Sequence, residues 1–315
     1  MSATRYAFLG FKAIVLAIGL TVSFMIGSVV SGLGRPAASS GAAVAKAAAA
    51  QPDPTAVLLL LFISCLVQAL VVIYLVGQAQ WRGWKITAAL FLVFFNTFVQ
   101  GSIESSVYLK AKVPVQFTAQ MLITGLVIGL LFAPFAVWVL GAWRPAQDTP
   151  RVEYARWSPG DWAGKIAALA VVALAVYYLC GYFIAWQSPA VRQFYAGSTE
   201  LKSFWGQIAG IWSATPWMFP LQAARALLWV AMTLPAIWML RGSRAHVALG
   251  GALMYAALGG STMLLLPNPL MPPAVAHAHL VETTVSGLAF GALVGWIMAR
   301  RENPAARELP MSEVA

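Results

Sequence analysis

The chain has 315 residues and a formal net charge of +10, yet it is 60% hydrophobic and only 10% charged. Soluble domains carry about 25% charged residues, so a water-soluble globular fold is excluded. The basic residues sit at the ends of apolar runs and not in an aromatic-interleaved patch, which points to membrane orientation and away from nucleic acid.

A membrane-spanning helix needs about 20 consecutive, mostly apolar residues. Eight such segments are expected, at 10–32, 55–77, 86–109, 117–140, 164–186, 217–240, 246–267 and 275–298. The expected fold is an all-α, polytopic integral membrane protein whose first partner is the lipid bilayer. In the first span, Gly19, Ser23, Gly27 and Ser31 recur every four residues, a small-residue seam for close helix packing. Ala42-Ala43-Val44-Ala45 after it looks like a signal cleavage site, but the apolar run is too long for a typical h-region. A retained helix followed by a loose Ala/Ser/Gly linker over 37–50 is expected.

The third span carries Asn96, Gln100 and Glu104 four residues apart, with Tyr108 one step further, and Thr97, Gly101 and Ser105 in the adjacent column. Three polar turns cannot face lipid, because a central charge costs about 2.5–3.5 kcal/mol even on the lenient insertion scale. The 188–216 loop is aromatic and nearly uncharged, fitting either an interfacial helix or a lid on the bundle. Arg225 stands inside the sixth span. A proline-rich run, 267–273, separates spans seven and eight, and no span shows a plain interruption at mid-membrane. The last span opens with His277 and His279, and places His279, Glu282, Thr283 and Ser286 on one helical face. Gly287, Gly291 and Gly295 form a smooth stripe below it, suited to helix contact.

Orientation follows from the flanks. Arg5, Lys12, Arg82, Lys85, Arg144, Arg151, Arg156, Lys165, Arg241, Arg244, Arg300, Arg301 and Arg307 fall on one side. Arg35, Lys46, Lys110, Lys112, Arg192 and Lys202 fall on the other. The positive-inside rule then predicts a plasma (inner) membrane protein with both termini cytoplasmic. Trp81, Trp84, Trp143, Trp157 and Trp162 flank the cytoplasmic ends as an aromatic belt. Pro134 and Pro235 are expected to kink or loosen their spans. Glu302–Ala315 reads as a short, polar, disordered tail.

An internal repeat is expected. Gln120, Thr124, Gly125, Leu126 and Gly129 lie against Glu282, Ser286, Gly287, Leu288 and Gly291, while Gly101-Ser102 lies against Gly260-Ser261. Residues 1–150 and 151–315 would each hold four spans. An even number makes the units parallel repeats about an axis near the membrane normal, as in some transporters.

With that topology Glu104, Arg225, His277, His279 and Glu282 all fall in the outer half of the membrane. Three readings stand. In the first, Glu104 or Glu282 pairs with Arg225 and only fixes helix register. In the second, Asn96, Gln100, Glu104, Arg225, His279 and Glu282 form an outward-facing cavity for a small polar solute or a proton relay, as in a proton-coupled transporter. In the third, His277, His279 and Glu282 hold a divalent metal or serve an enzyme at the outer face. His277 and His279 are two residues apart and cannot share one helical face. No HExxH, CxxC, GxSxG or Gly-rich phosphate loop is present, so no cofactor is expected beyond such a metal and no catalytic residue can be assigned. Cys65 and Cys180 lie inside apolar runs and read as core residues.

Overall fold

The computed structural model describes residues 3–33, 53–108, 115–144, 157–267 and 271–300. The 37–50 linker, the polar tail, residues 268–270, and Arg35, Lys46, Lys110, Lys112, Arg151, Arg156, Arg301 and Arg307 lie outside the described residues. The described chain runs α1 (Ala3–Ser31), α2 (Pro54–Gly77), α3 (Trp84–Tyr108), α4 (Val115–Val139), α5 (Pro159–Phe183), α6 (Pro189–Ala196), α7 (Phe204–Ala214), α8 (Met218–Met239), α9 (Arg244–Leu253) and α10 (Pro273–Met298). Among the described residues eight helical runs are long and apolar enough to cross a membrane. They agree with the expected spans to within a few residues.

Starts are set by local chemistry. Asp53 caps α2 by accepting from Thr55 N at 3.0 Å, with Pro54 in the first turn. Ser158 and Asp161 form a capping box on α5 around Pro159, satisfying donors that a helix end leaves open. Pro134 and Pro235 lie inside α4 and α8, which continue through them as α-helix.

Packing follows the small residues. In α1, Gly27 approaches the Thr124 backbone of α4 and Ser31 shares a 2.7 Å hydrogen bond with the Thr124 hydroxyl. In α4, a Cβ at Gly125 would lie 2.6 Å from Phe98 of α3. In α10, a Cβ at Gly287 would lie 2.9 Å from the Ala256 Cα, and one at Gly295 would lie 2.7 Å from the Ala248 Cα. Gly291 meets the Gly251 carbonyl. Both expected glycine stripes are therefore helix–helix seams. The most extensive packing joins α3 to α4, α9 to α10 and α1 to α4 and α2, followed by α3 to α8 and by α5 to α8 and α10. The first four spans meet the last four where α3 packs on α8 and where α2 packs on the segment after α9.

That segment corrects an expectation. The seventh span is not one uninterrupted helix. After α9 the chain widens into a π turn over Met254–Leu258, reverses at Gly260 with φ 105, and continues as a 3₁₀ turn over Ser261–Leu265. Only glycine takes that backbone readily.

The end of the bundle that carries the described basic flanks is tightly closed. Gln80 N donates to Met239 O at 2.8 Å and Arg241 N to Gln78 O at 3.1 Å, while Gln80 Nε2 donates to Trp238 O at 3.0 Å. Trp157 and Trp162 pack edge-on against Trp238, over which the Arg300 guanidinium lies at 4.1 Å. These two tryptophans thus serve a plug between helices, whereas Trp84 is exposed as a belt residue should be.

The glycine seam gives the first test. Gly287→Leu forces backbone apart between the Met254–Leu258 π turn and α10 and should lower stability by about 1–3 kcal/mol. Gly181→Leu, at a helical glycine with no neighbouring atom within 4 Å, should leave the detergent melting temperature nearly unchanged. Equal melting of the two variants would remove the seam's role.

Candidate functional site

Polar residues in a span must find partners within the protein, and those partners define the site. On α3, Asn96, Gln100 and Glu104 point one way at successive turns. On α8, Gln222 and Arg225 are three apart and share a face. The two faces meet. Arg225 Nε donates to Gln100 Oε1 at 3.1 Å and Arg225 Nη1 to Gln222 Oε1 at 3.3 Å. Arg225 Nη2 stands 3.6 Å from Glu104 Oε2. Gln100 Nε2 donates back to the Arg225 carbonyl at 3.4 Å and to Asn96 Oδ1 at 3.2 Å. The guanidinium is 14% exposed and the Glu104 side chain 54%, so the pair runs from the mouth of the bundle to its interior. Removing an ion from water costs several kcal/mol unless charge and hydrogen bonds offset it, and here both amides and the carboxylate do so.

Across from this pair, α10 presents Glu282, whose side chain is 11% exposed. His279 Nδ1 lies 3.4 Å from Glu282 Oε2, and His279 Nε2 is buried with no hydrogen-bond partner. Thr283 and Thr284 donate to carbonyls of their own helix, His279 O at 2.6 Å and Leu280 O at 2.7 Å. The His279 ring meets Tyr195 of α6 edge-on at 5.6 Å. The short α6 is fixed by a buried Arg192, which donates to Thr199 O at 2.8 Å and to Trp186 O at 2.6 Å. Of the two expectations for the 188–216 loop, α6 forms a lid on the bundle, while α7 leaves Trp205 and Trp212 exposed.

Glu104, Arg225 and Glu282 line one cavity of about 370 Å³, together with Gln100, Gln222 and Tyr195. One wall is the broken seventh span, from Gly259 to Leu264. The break is held by donors from neighbouring helices. Thr97 donates to Leu258 O and Ser261 to Ala256 O. Ser64 donates to Thr262 O at 2.8 Å, and Gln68 Nε2 to the Thr262 hydroxyl at 2.9 Å. On the other wall, Tyr255 stacks on Trp229 at 5.0 Å and shares a 2.7 Å hydrogen bond with Thr233.

The expected residues are partly brought together. Glu104, Gln100, Arg225 and Glu282 line the cavity, His279 buttresses Glu282, and Asn96 is buried behind Gln100 without lining it. His277 is exposed on the far side of α10 from its expected partners. Among the described residues no group of three or more His, Cys, Asp or Glu side chains is placed to hold a metal ion. His279 and Glu282 alone make up the assembled part of that set. Sequence reasoning missed Gln222, Tyr195, Ser64 and Gln68. Gln222 was legible as the neighbour of a lone intramembrane arginine three residues on, and the others were not.

Comparisons with protein-family models, with curated proteins and with solved structures find no match.

The donors to the break supply a direct test. Gln68→Leu removes the donor to the Thr262 hydroxyl, which keeps its own bond to Ala257 O, a loss of about 0.5–1.5 kcal/mol for one hydrogen bond. Amide exchange should rise over residues 261–265 and stay unchanged in the lower half of α10. Uniform exchange across both regions would show that the break does not depend on α2.

Proposed function

We propose that the chain is a transporter-like membrane protein with a small-solute or proton-coupled site in this cavity. The observation that carries the reading is the coincidence of three intramembrane charged residues and a helix break around one cavity. Transporters place substrate sites at discontinuous helices, and non-helical backbone is tolerated in a membrane where it lines a cavity or is buried in protein. Intramembrane ionisable groups mark solute and proton pathways more often than they serve packing alone.

The reading also sets direction. With the basic flanks cytoplasmic, both termini lie in the cytoplasm of the plasma (inner) membrane, the Trp238 plug closes the inner face, and the Glu104 mouth opens outward. Glu104 and Arg225 form the entrance, and Glu282 with His279 forms the inner acid.

Two parallel four-span repeats fit the packing. Spans one and two, one and four, and three and four pair, as do spans five and six, five and eight, and seven and eight. The contacts of span three with span six and of span seven with span two exchange under the same correspondence. The units differ in content. A small void of about 20 Å³ beside the cavity, where the two units meet, is lined by Leu20, Phe24, Phe94 and Phe98 with Leu258 and Met263. Glu282 has Gln120 as its counterpart, which donates to Gly32 O at 3.2 Å and serves to hold the end of α1. Function is thus assigned to one side of a symmetric frame.

In proteoliposomes carrying a pH-sensitive dye, Glu282→Gln and Glu104→Gln should each cut solute-driven proton flux or solute uptake at least about tenfold, the scale expected for loss of an essential proton carrier, with unchanged melting. Full flux in both variants would contradict the reading. Failure of both to fold would favour a purely structural ion pair.

A further inference from the structure

The cavity's own charge balance names its ligand. Among the described residues its ionic lining consists of two carboxylates, Glu104 and Glu282, against one guanidinium, Arg225. Arg225 is already engaged by Gln100 at 3.1 Å, Gln222 at 3.3 Å and Glu104 at 3.6 Å. An incoming anion would have to displace one of these partners and would face Glu282 as well.

Glu282 is in the opposite position. Its described polar contact is the 3.4 Å approach of His279 Nδ1, long for a charge-assisted hydrogen bond, which is about 2.7–2.9 Å. The ring does not supply a full counter-charge. An imidazolium donates from both nitrogens, and His279 Nε2 is buried with no acceptor, so the neutral ring with Nδ1–H towards Glu282 fits the geometry. The Glu282 carboxyl, at 11% exposure, therefore faces the cavity with most of its acceptor capacity open.

The rest of the lining mixes hydroxyl side chains, Thr97, Ser105, Thr283 and Ser286 among them, with a set of aromatic rings, Phe117, Tyr177, Tyr195, Trp229 and Phe290. Aromatic faces attract cations, most strongly where water is excluded. A divalent metal would require more ligands than the His279–Glu282 pair supplies, and a neutral solute would leave the buried carboxylate uncompensated. At about 370 Å³ the cavity has the volume of roughly a dozen water molecules.

We propose that the cavity binds a monovalent organic ammonium ion with an apolar body, its nitrogen paired with Glu282 and its body against the aromatic wall. The glutamate at the mouth neutralises Arg225, so the pair excludes anions and sets the sign of the site. This inference rests on the reading of the cavity as a solute site.

The test uses the full chain in lipid nanodiscs and two probes of one skeleton, 2-phenylethylammonium and phenylacetate, with empty nanodiscs as background. The ammonium probe is expected to bind the wild type, and phenylacetate is not expected to bind or compete. Glu282→Gln should weaken ammonium binding at least about tenfold, in line with truncation of a buried charge pair. Glu282→Asp, which keeps the charge, should retain measurable binding and guards against a folding artefact. Glu104→Gln leaves one carboxylate against Arg225 and should admit phenylacetate. Binding of phenylacetate to the wild type with loss in Arg225→Gln would overturn the cation assignment and leave a solute site standing. Ammonium binding unaffected by Glu282→Gln would overturn it too. If neither probe binds while Glu282-dependent proton flux persists, the ligand class is wrong and the transport reading survives; if both binding and flux are absent, both fall.

Discussion

Backbone polar groups have no water to turn to inside a bilayer, and the rest of this structure depends on how that constraint is met in the seventh span. Once Gly260 turns the chain out of α-helical geometry, the carbonyls of residues 256–258 and the Thr262 peptide need partners. Thr97 of α3 and Ser64 of α2 provide them, with Ser261 and Thr262 themselves, and Gln68 of α2 holds the Thr262 hydroxyl. Such groups cost several kcal/mol each when left open in hydrocarbon, so the break is stable only while α2 and α3 stand beside it. The same contacts join the first four spans to the last four. A helix that stops short also leaves room, and the cavity lies against it.

The charges then follow from the room. Arg225 and Glu104 would be expelled from a filled helix interface, but at the edge of a cavity they can pair while Arg225 donates to two amide oxygens. Glu282 lies deeper, beside a histidine held by the α6 lid through Tyr195. Packing on the other side explains why the bundle tolerates this loss of core. Glycine seams bring α10 against α9, and α4 against α3, close enough for backbone contact, and a tryptophan cluster seals the end opposite the mouth.

Much of this was legible in the sequence, for identifiable reasons. Spans are visible because about 20 apolar residues in a row have few other uses. Glu104, Arg225 and Glu282 stood out because charge in an apolar segment must have a reason, and Gln100 because it shares their face. The break was not legible. Gly259-Gly260 reads the same whether it packs a straight helix or ends one, and only the position of Thr97, Ser64 and Gln68 decides between them. Asn96 was placed on the site face by periodicity alone, and periodicity cannot tell a lining residue from the one that positions it. His277 shared a short stretch with His279 but not a helical face.

In the proposed site, water reaches Glu282 from the Glu104 end and not from the basic end. Ser286 lines the cavity one turn below Glu282. In a chain carrying Cys65→Ser and Cys180→Ser, Ser286→Cys can be exposed to a membrane-impermeant maleimide in sealed vesicles of known orientation. The account predicts labelling from the non-cytoplasmic side and none from the cytoplasmic side. Labelling only by lipid-permeant reagents, or from the cytoplasmic side alone, would contradict it.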